Sequence, residues 1–391
     1  GRSHHRACWL MDFALSPEQE EIRKLVRDFA EREVKPRADE IDHTSQFPRD
    51  LVEKAAALGL TGILVPEGYG GAGLDHLSFA LFVEEVAHVS GATAGILDVH
   101  ASVGTEPIVL FGTEDQKHRW LPELASGRKL AAFALTEPEA GSDASHLQTV
   151  ASPRDGGYML NGTKIFITNA GEAGMYVVMA ATRPGTGADG ISAFLVAGDN
   201  PGLTVGPPLK KMGLNGSAIA ELHFQDCVVD GRDRLGEEGQ GFRIAMRALD
   251  SGRIGIAAQA VGLAQGALDD ALAYARERRQ FGKAIGDFQS IQNKIADMAV
   301  KVRAARWLTW TAAARCDAGM PFTREASIAK LFATDAAMET TLEALQVFGG
   351  YGYLEEYPMA RRVRDAKACQ IYEGTNQVQR LVIARDLVGA R

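Results

Sequence analysis

Near the C-terminus, Ile371-Tyr372-Glu373-Gly374-Thr375-Asn376-Gln377 sets a carboxylate between an aromatic residue and a glycine, just ahead of a helical pattern at Val378, Leu381 and Val382. Such a glutamate can act as a general base where its surroundings exclude water, because desolvation disfavours the charged form and lifts the pKa toward neutrality. By residue type alone, a lone glutamate in a loop is a solvated surface group, and that reading stands beside the catalytic one. A second run, Gly68-Tyr69-Gly70-Gly71-Ala72-Gly73, matches the G-x-G-x-x-G dinucleotide fingerprint and follows a short apolar stretch at residues 63–65. The segment after it reads as a further helix and lacks the parallel strand that a βαβ unit needs, so the glycines read as a loop that lets helices turn. Cys8, Cys227, Cys316 and Cys369 are scattered, with no C-x-x-C pair and no nearby histidine at ligand spacing. Reduced thiols and no metal site are expected.

The elements that must carry these residues fall into three stretches. Ser16-Pro17-Glu18-Gln19 combines an N-cap serine, a proline at the first helical position and a glutamine three residues after the cap, ahead of Ile22, Leu25, Val26 and Phe29. Helical patterns continue around residues 47–58, 77–89 and 92–111, so residues 11–130 read as a helical domain. The texture then changes. Residues 158–160, Asn161-Gly162 and residues 163–168 read as a hairpin, since Asn-Gly accepts the positive φ of a tight turn. Further strands are expected at residues 175–181, 191–196 and 220–229, making residues 131–240 a β domain. Residues 241–391 return to helix, where Ile291, Ile295, Met298, Val302 and Ala305 form one stripe that reads as bundle core and not as a cofactor face. Helices, then strands, then helices, without alternating βαβ units, give an α+β class.

With 391 residues, 46% hydrophobic, 24% charged and a net charge of -8, the chain is long enough for several domains and has no basic surplus to meet a phosphate backbone. Nucleic acid is not an expected partner. No stretch reaches the apolar length of a membrane helix, and no signal peptide is read. A soluble cytoplasmic protein, bacterial by this reading, is expected; a mitochondrial matrix protein without its transit peptide is the alternative. Residues 1–10 read as a cloning remnant or a misplaced start, which would leave His4 and His5 without a role.

Five blocks taken together resemble the acyl-CoA dehydrogenase family. They are FALTEPEAGSD at residues 133–143, NGTKIFITN at residues 161–169, RRQFG at residues 278–282, QVFGG at residues 346–350 and IYEGTNQVQR at residues 371–380. The resemblance runs from about residue 11 to the C-terminus and is strongest to short-chain, butyryl-CoA members. It implies an N-terminal helical domain, a central antiparallel β barrel or sandwich and a C-terminal four-helix bundle, assembled as a homotetramer.

It also implies FAD as cofactor. Phe133, Leu135 and Thr136 would meet the flavin, Gly141 and Ser142 would belong to the same segment, and Ser142 would also touch substrate. Phe166 would cover the flavin, at a position where tryptophan is common, and Thr168 would bond it near N5; a phenyl ring keeps the stacking and loses only the indole N–H. Arg278, Phe281, Gln289, Gln346, Gly349, Gly350, Thr375 and Gln377 match further FAD contacts, several of them reached across a subunit interface. Turn bonding is the plain alternative for Thr136 and Ser142.

For the substrate, the resemblance places Asp250, Arg253 and Gly374 at the CoA thioester and makes Glu373 the base that takes the α-proton while the flavin accepts the β-hydride. A surface salt bridge is the plain alternative for Arg253. Some relatives carry the base on the helix after the β domain, where this chain has Asp250-Ser251-Gly252-Arg253; Gly252 cannot serve. Residues 88–111 hold no Lys or Arg, which argues against a dicarboxylate substrate. The implied activity is α,β-dehydrogenation of a short or short branched acyl-CoA to the trans-2-enoyl-CoA within fatty acid β-oxidation, with electron-transferring flavoprotein as partner. An acyl-CoA oxidase or other flavoenzyme on the same scaffold, and a non-catalytic acyl-CoA-binding subunit, are the alternatives.

Overall fold

The computed structural model describes residues 14–389, so the expectation for residues 1–10 lies outside the described residues. Helix α1 (Pro17–Phe29) opens with the capping box read in the sequence: the Ser16 hydroxyl accepts from the Gln19 backbone N–H, and the Gln19 side chain accepts from the Ser16 N–H. After α2 (Ala38–Thr44) and α3 (Arg49–Ala57), the glycine-rich run forms a tight loop with Gly70 and Gly73 at positive φ, leading into α4 (His76–Ala87). Gly71 packs so closely on Val65 that a Cβ there would lie 2.0 Å from the Val65 carbonyl oxygen, which explains a glycine without a nucleotide.

The helical pattern over residues 92–111 divides into α5 (Gly91–Val99), a π-helical stretch (His100–Thr105) and α6 (Glu106–Phe111). Pro107 lacks the N–H that a regular bond to Val103 would need, and His100 Nδ1 instead accepts from the Ala131 N–H at 2.9 Å, tying the widened turn to the first strand. Helix α7 (Glu114–Ala125) follows.

The strands are β1 (Leu130–Ala134), β2 (Val150–Arg154), β3 (Gly157–Thr168), β4 (Ala173–Ala181), β5 (Ile191–Ala197), β6 (Leu203–Val205), β7 (Ile219–Asp230) and β8 (Arg234–Leu235). They form one eight-stranded sheet in the order β6-β7-β3-β2-β4-β5-β8, with β1 also on β4. Most pairs are antiparallel, but β1 and β2 each run parallel to β4. The expected hairpin at Asn161-Gly162 is absent. Strand β3 runs straight through both residues, and the turn lies earlier, where Arg154 pairs with Gly157. Asn161-Gly162 is instead a bulge against β7: Asn161 Oδ1 accepts from the Asp226 N–H at 2.8 Å, and a Cβ on Gly162 would stand 2.5 Å from Thr149 Oγ1. The dipeptide's freedom at positive φ serves a bulge as well as a turn, and pairing on both edges of β3 selects the bulge.

Helix α8 (Gly241–Glu277), the short pair β9 (Arg279–Gln280) and β10 (Lys283–Ala284), α9 (Gln289–Asp317) and α10 (Thr323–Phe348) are followed by α11 (Met359–Cys369) and α12 (Asn376–Val388). On α9, Met298, Val302 and Ala305 are buried and Ile291 and Ile295 pack beside them, as a bundle-core stripe should. Helix α8 is the hub. Its middle joins one apolar core with α1, α4, α9 and α10, and its first turns join a second core with α7, β1, β4 and β5. Among the described residues no helix is long and apolar enough to cross a membrane.

Candidate active site

Glu373 sits in the loop between α11 and α12 with φ of 52°, a left-handed conformation uncommon for a residue with a side chain, and Gly374 continues it at 89°. The loop is held from below. Lys330 of α10, wholly buried, donates from Nζ to the Gly374 carbonyl at 2.8 Å and to Asn376 Oδ1 at 3.0 Å. Gln379 Nε2 donates to the same carbonyl at 2.9 Å. Asn376 Nδ2 donates to Thr334 Oγ1 at 2.9 Å and to Asp335 Oδ1 at 2.7 Å, and Thr375 caps α12 through its hydroxyl. Helix α11 is itself pinned by two buried arginines: Arg361 Nη1 donates to the Val89 carbonyl at 3.0 Å and Arg362 Nη1 to the His88 carbonyl at 2.9 Å. Polar anchoring of this density over-determines the unusual backbone at Glu373.

The Glu373 residue keeps some solvent exposure, yet its Oε2 is shut off from solvent and has no hydrogen-bond partner. Burial pushes its carboxyl up to about 7, while the charges of Arg253 and Lys330 pull the other way. The carboxylate lies on α8 at Gly252: a Cβ there would stand 2.2 Å from Glu373 Oε2 and 2.9 Å from Val103 Cγ1. Val103 belongs to a small apolar cluster with Val99 and Ala248, against which Phe133 and Leu249 pack. The base candidate and the first of the flavin candidates therefore border one small apolar cluster.

Phe133 is partly exposed on β1, Leu135 is buried, and Thr136 accepts at its carbonyl from the Ile165 N–H at 2.9 Å, next to the Phe166 segment. Gly141 and Ser142 are exposed in the following loop. Phe166 lies at a bulge between β3 and β7 with φ of 60°, and its ring is 62% exposed, so the backbone turns an aromatic face outward where an ordinary strand would alternate. Thr168 ends β3, paired with Ile219.

Two buried groups missed in the sequence fix this segment. Lys164 donates from Nζ to the Leu135 carbonyl at 2.9 Å and to Glu137 Oε1 at 2.7 Å, and the Glu137 carboxylate also accepts from the Gln148 and Thr149 backbone N–H groups. Burial holds the Lys164 ammonium down at about 8, and the lysine charge brings Glu137 below the usual range although burial opposes it. Asn169, with φ of 64°, donates from Nδ2 to the Ile96 carbonyl at 3.1 Å, joining the end of β3 to α5. Both Lys164 and Asn169 stand inside the NGTKIFITN block, where a lysine flanked by strand residues was the available signal.

Arg278, Gly349 and Gly350 are brought together elsewhere. They line an open cleft of about 420 Å³ with Tyr351, whose ring lies 5.2 Å from the Arg278 guanidinium carbon. Gly349 and Gly350 have open space where side chains would be. Gln346 and Gln289 are exposed, and Phe281 is 93% exposed at the tip of the β9–β10 turn. None of the flavin candidates on β1 or β3 lines this cleft, so one chain holds two separate groups of cofactor candidates. Gln377 is exposed at the start of α12.

Asp250 and Arg253 form a buried ion pair, Arg253 Nη1 to Asp250 Oδ1 at 2.7 Å, and Thr323 Oγ1 donates to Asp250 as well. The plain reading of Arg253 as a solvated surface bridge thus fails: it is buried, and its Nε has no partner.

Comparison with known proteins places these residues in context. Family models for the acyl-CoA dehydrogenase N-terminal, middle and C-terminal domains match residues 16–128, 132–227 and 239–388. An acyl-CoA dehydrogenase of Bacillus subtilis (strain 168) is 51% identical over 96% of this chain and 99% of its own length. The short-chain specific acyl-CoA dehydrogenase of Megasphaera elsdenii is 50% identical over 95% of this chain and 98% of its own. Among solved structures, butyryl-CoA dehydrogenase from Megasphaera elsdenii superposes with a TM-score of 0.95 at 49% identity, covering 97% of this chain and 100% of that one. A chain in a structure of the electron transferring flavoprotein of Acidaminococcus fermentans gives 0.96 at 48% identity, with 97% and 100% covered. PigA with FAD and proline gives 0.93 at 35% identity, with 97% and 99% covered.

Proposed function

This chain belongs to the acyl-CoA dehydrogenase family, and from that premise we propose that it dehydrogenates a short-chain or short branched acyl-CoA to the trans-2-enoyl-CoA, with Glu373 as the base. The observation that carries the reading is the Glu373 carboxylate: buried, unpaired at Oε2, shifted to about 7 and set beside the apolar cluster at Val103. A base of that pKa is half-ionised near neutral pH and still strong enough to accept a proton beside a thioester.

The residues present fit FAD. Phe166 offers an exposed ring beside the Thr136 segment, and Arg278 with Gly349-Gly350 offers a fixed cation and close backbone approach for a pyrophosphate. When bound, FAD supplies the electron sink that accepts a β-hydride. The chain's part is to hold the α-carbon against Glu373, to exclude water through Val99, Val103 and Phe133, and to keep the base in place through Lys330, Gln379 and Asn376. The α-proton passes to Glu373 Oε2. Gly374 and the Asp250–Arg253 pair stand at the thioester and CoA end.

The separation of the two groups of cofactor candidates is what a site completed by a second copy requires, so the homotetramer and the sharing of FAD between copies belong to the same proposal. Electron-transferring flavoprotein as acceptor, a place in β-oxidation, a cytoplasmic setting and domain limits at residues 130/131 and 240/241 complete it; the relative associated with an electron transferring flavoprotein supports the first.

The test is a visible spectrum of the purified protein followed by anaerobic addition of butyryl-CoA. Flavin bands that bleach in the wild type and persist in Glu373→Gln are expected. A protein that cannot be reconstituted with FAD, or a Glu373→Gln variant that bleaches at the wild-type rate, overturns the reading.

A further inference from the structure

One helical turn beyond the base, the same face of α8 meets a second carboxyl that the dehydrogenation reading leaves unused. Gly252 and Gly255 are three residues apart, hence neighbours on one face. A Cβ on Gly252 would lie 2.2 Å from Glu373 Oε2, and one on Gly255 would lie 2.1 Å from Asp98 Oδ1. Two glycines therefore admit two carboxyls side by side. Asp98, on α5, is 0% exposed; its Oδ1 accepts from the Ser102 hydroxyl at 3.0 Å, and its Oδ2 is buried without a partner.

A further turn along α8, the space closes on polar groups. Gln259 Nε2 donates to the Gly91 carbonyl at 2.7 Å, and the Tyr372 hydroxyl donates to Gln259 Oε1. A Cβ on Gly95 would already stand 3.1 Å from Gln259 Nε2. Read along α8 from the Asp250–Arg253 pair, the order is base, then Asp98, then Gln259 with Tyr372, so polar groups close off the space within two helical turns of the base.

We propose that the acyl group this site takes is short and carries a hydroxyl on its distal carbon, with Asp98 as the residue that recognises it. The inference rests on the assignment of Glu373 as base. A hydrocarbon end placed against Asp98 leaves Oδ2 unpaired in a dry site, whereas a hydroxyl both donates to it and accepts from it. Burial and the neighbouring Glu373 charge push the Asp98 carboxyl well up, which favours its protonated form. A protonated carboxyl is both donor and acceptor, which matches a hydroxyl; an ammonium only donates and would need both carboxyls ionised at once. Sites built to bond a substrate hydroxyl reject the analogue lacking it by large factors, about 10⁴–10⁵ at best.

The test compares kcat/KM for butyryl-CoA and 4-hydroxybutyryl-CoA with an artificial electron acceptor, and the dissociation constants of both on Glu373→Gln from the flavin spectrum. The hydroxylated substrate is expected to be favoured at least tenfold in both measurements. Asp98→Asn, which also donates and accepts, is expected to keep that preference, and Asp98→Leu to invert it. Butyryl-CoA favoured by the wild type, a ratio that Asp98→Leu leaves unchanged, or 4-aminobutyryl-CoA favoured over both overturns the proposal. If Asp98→Leu does not fold, Asp98→Ala, which likewise neither donates nor accepts, gives the same ratio test. Turnover of either substrate by Glu373→Gln would overturn the base assignment instead, so the two failures are distinguishable.

Discussion

Gly252 and Glu373 meet so closely that a single Cβ on Gly252 would stand 2.2 Å from the glutamate's Oε2. The helix after the β domain and the loop before α12 thus converge on one point, and only the absence of a side chain on the first leaves room for the carboxylate of the second.

Gly252→Ala should therefore displace the base without unfolding the protein, since the atom met is the mobile end of a side chain. The rate of flavin reduction by acyl-CoA is expected to fall at least tenfold at unchanged flavin content. The double variant Glu373→Gly with Gly252→Glu, which puts a carboxylate in the same space from the other side, should recover part of the activity that Glu373→Gly alone loses. No recovery would show that the backbone of the Glu373 loop matters more than the place of its carboxylate.

The carboxyl of Glu373 is raised from an ordinary 4.5 to about 7, chiefly by burial. Activity requires the ionised form, so kcat/KM should fall about tenfold per pH unit below that value. Stability runs the other way: a raised folded-state pKa contributes stability that is complete below about 4.5 and is lost as pH rises through about 7. Glu373→Gln should thus gain relative to wild type across that window, by an amount on the order of a few kcal/mol, read from denaturant midpoints at pH 5 and pH 8.

Lys330→Met removes both the bond to the Gly374 carbonyl and a charge that lowers the Glu373 pKa. The acid limb of the pH profile should move to higher pH, and kcat should fall more than KM changes. A lower kcat with an unmoved limb would assign Lys330 to loop geometry alone.

Lys164→Met leaves the Glu137 carboxylate buried without its cation and should destabilise the protein by about 3–5 kcal/mol. Phe166→Ala, by contrast, truncates an exposed ring, so the melting temperature of the flavin-free protein should hardly move while FAD dissociates more readily. Thermal melts and flavin release on dilution separate the two.

Local chemistry made much of this legible in the sequence. The α1 capping box, the α9 stripe, the positions of β4, β5 and β7 and the order of helices, strands and helices follow from periodicity and backbone preference over a few residues, and the five family blocks pointed to the acyl-CoA dehydrogenase fold; β1, β2, β6 and β8 were not read. Asn161-Gly162 marks where local reading stops: the dipeptide permits a turn and a bulge alike, and only the partners on both edges of β3 choose between them. Glu373 could be picked out by its neighbours in the chain, but burial, its unpaired oxygen and its shifted pKa come from Gly252, Val103, Arg253 and Lys330, which lie on three other helical segments. Lys164 and Asp98 gave still less notice, because a charged residue reads as solvated until the fold takes its water away. The sequence by itself determined which elements form and which blocks carry family chemistry. Tertiary structure decided which of those residues are brought together away from water, since desolvation depends on what packs around a group and not on what precedes it in the chain.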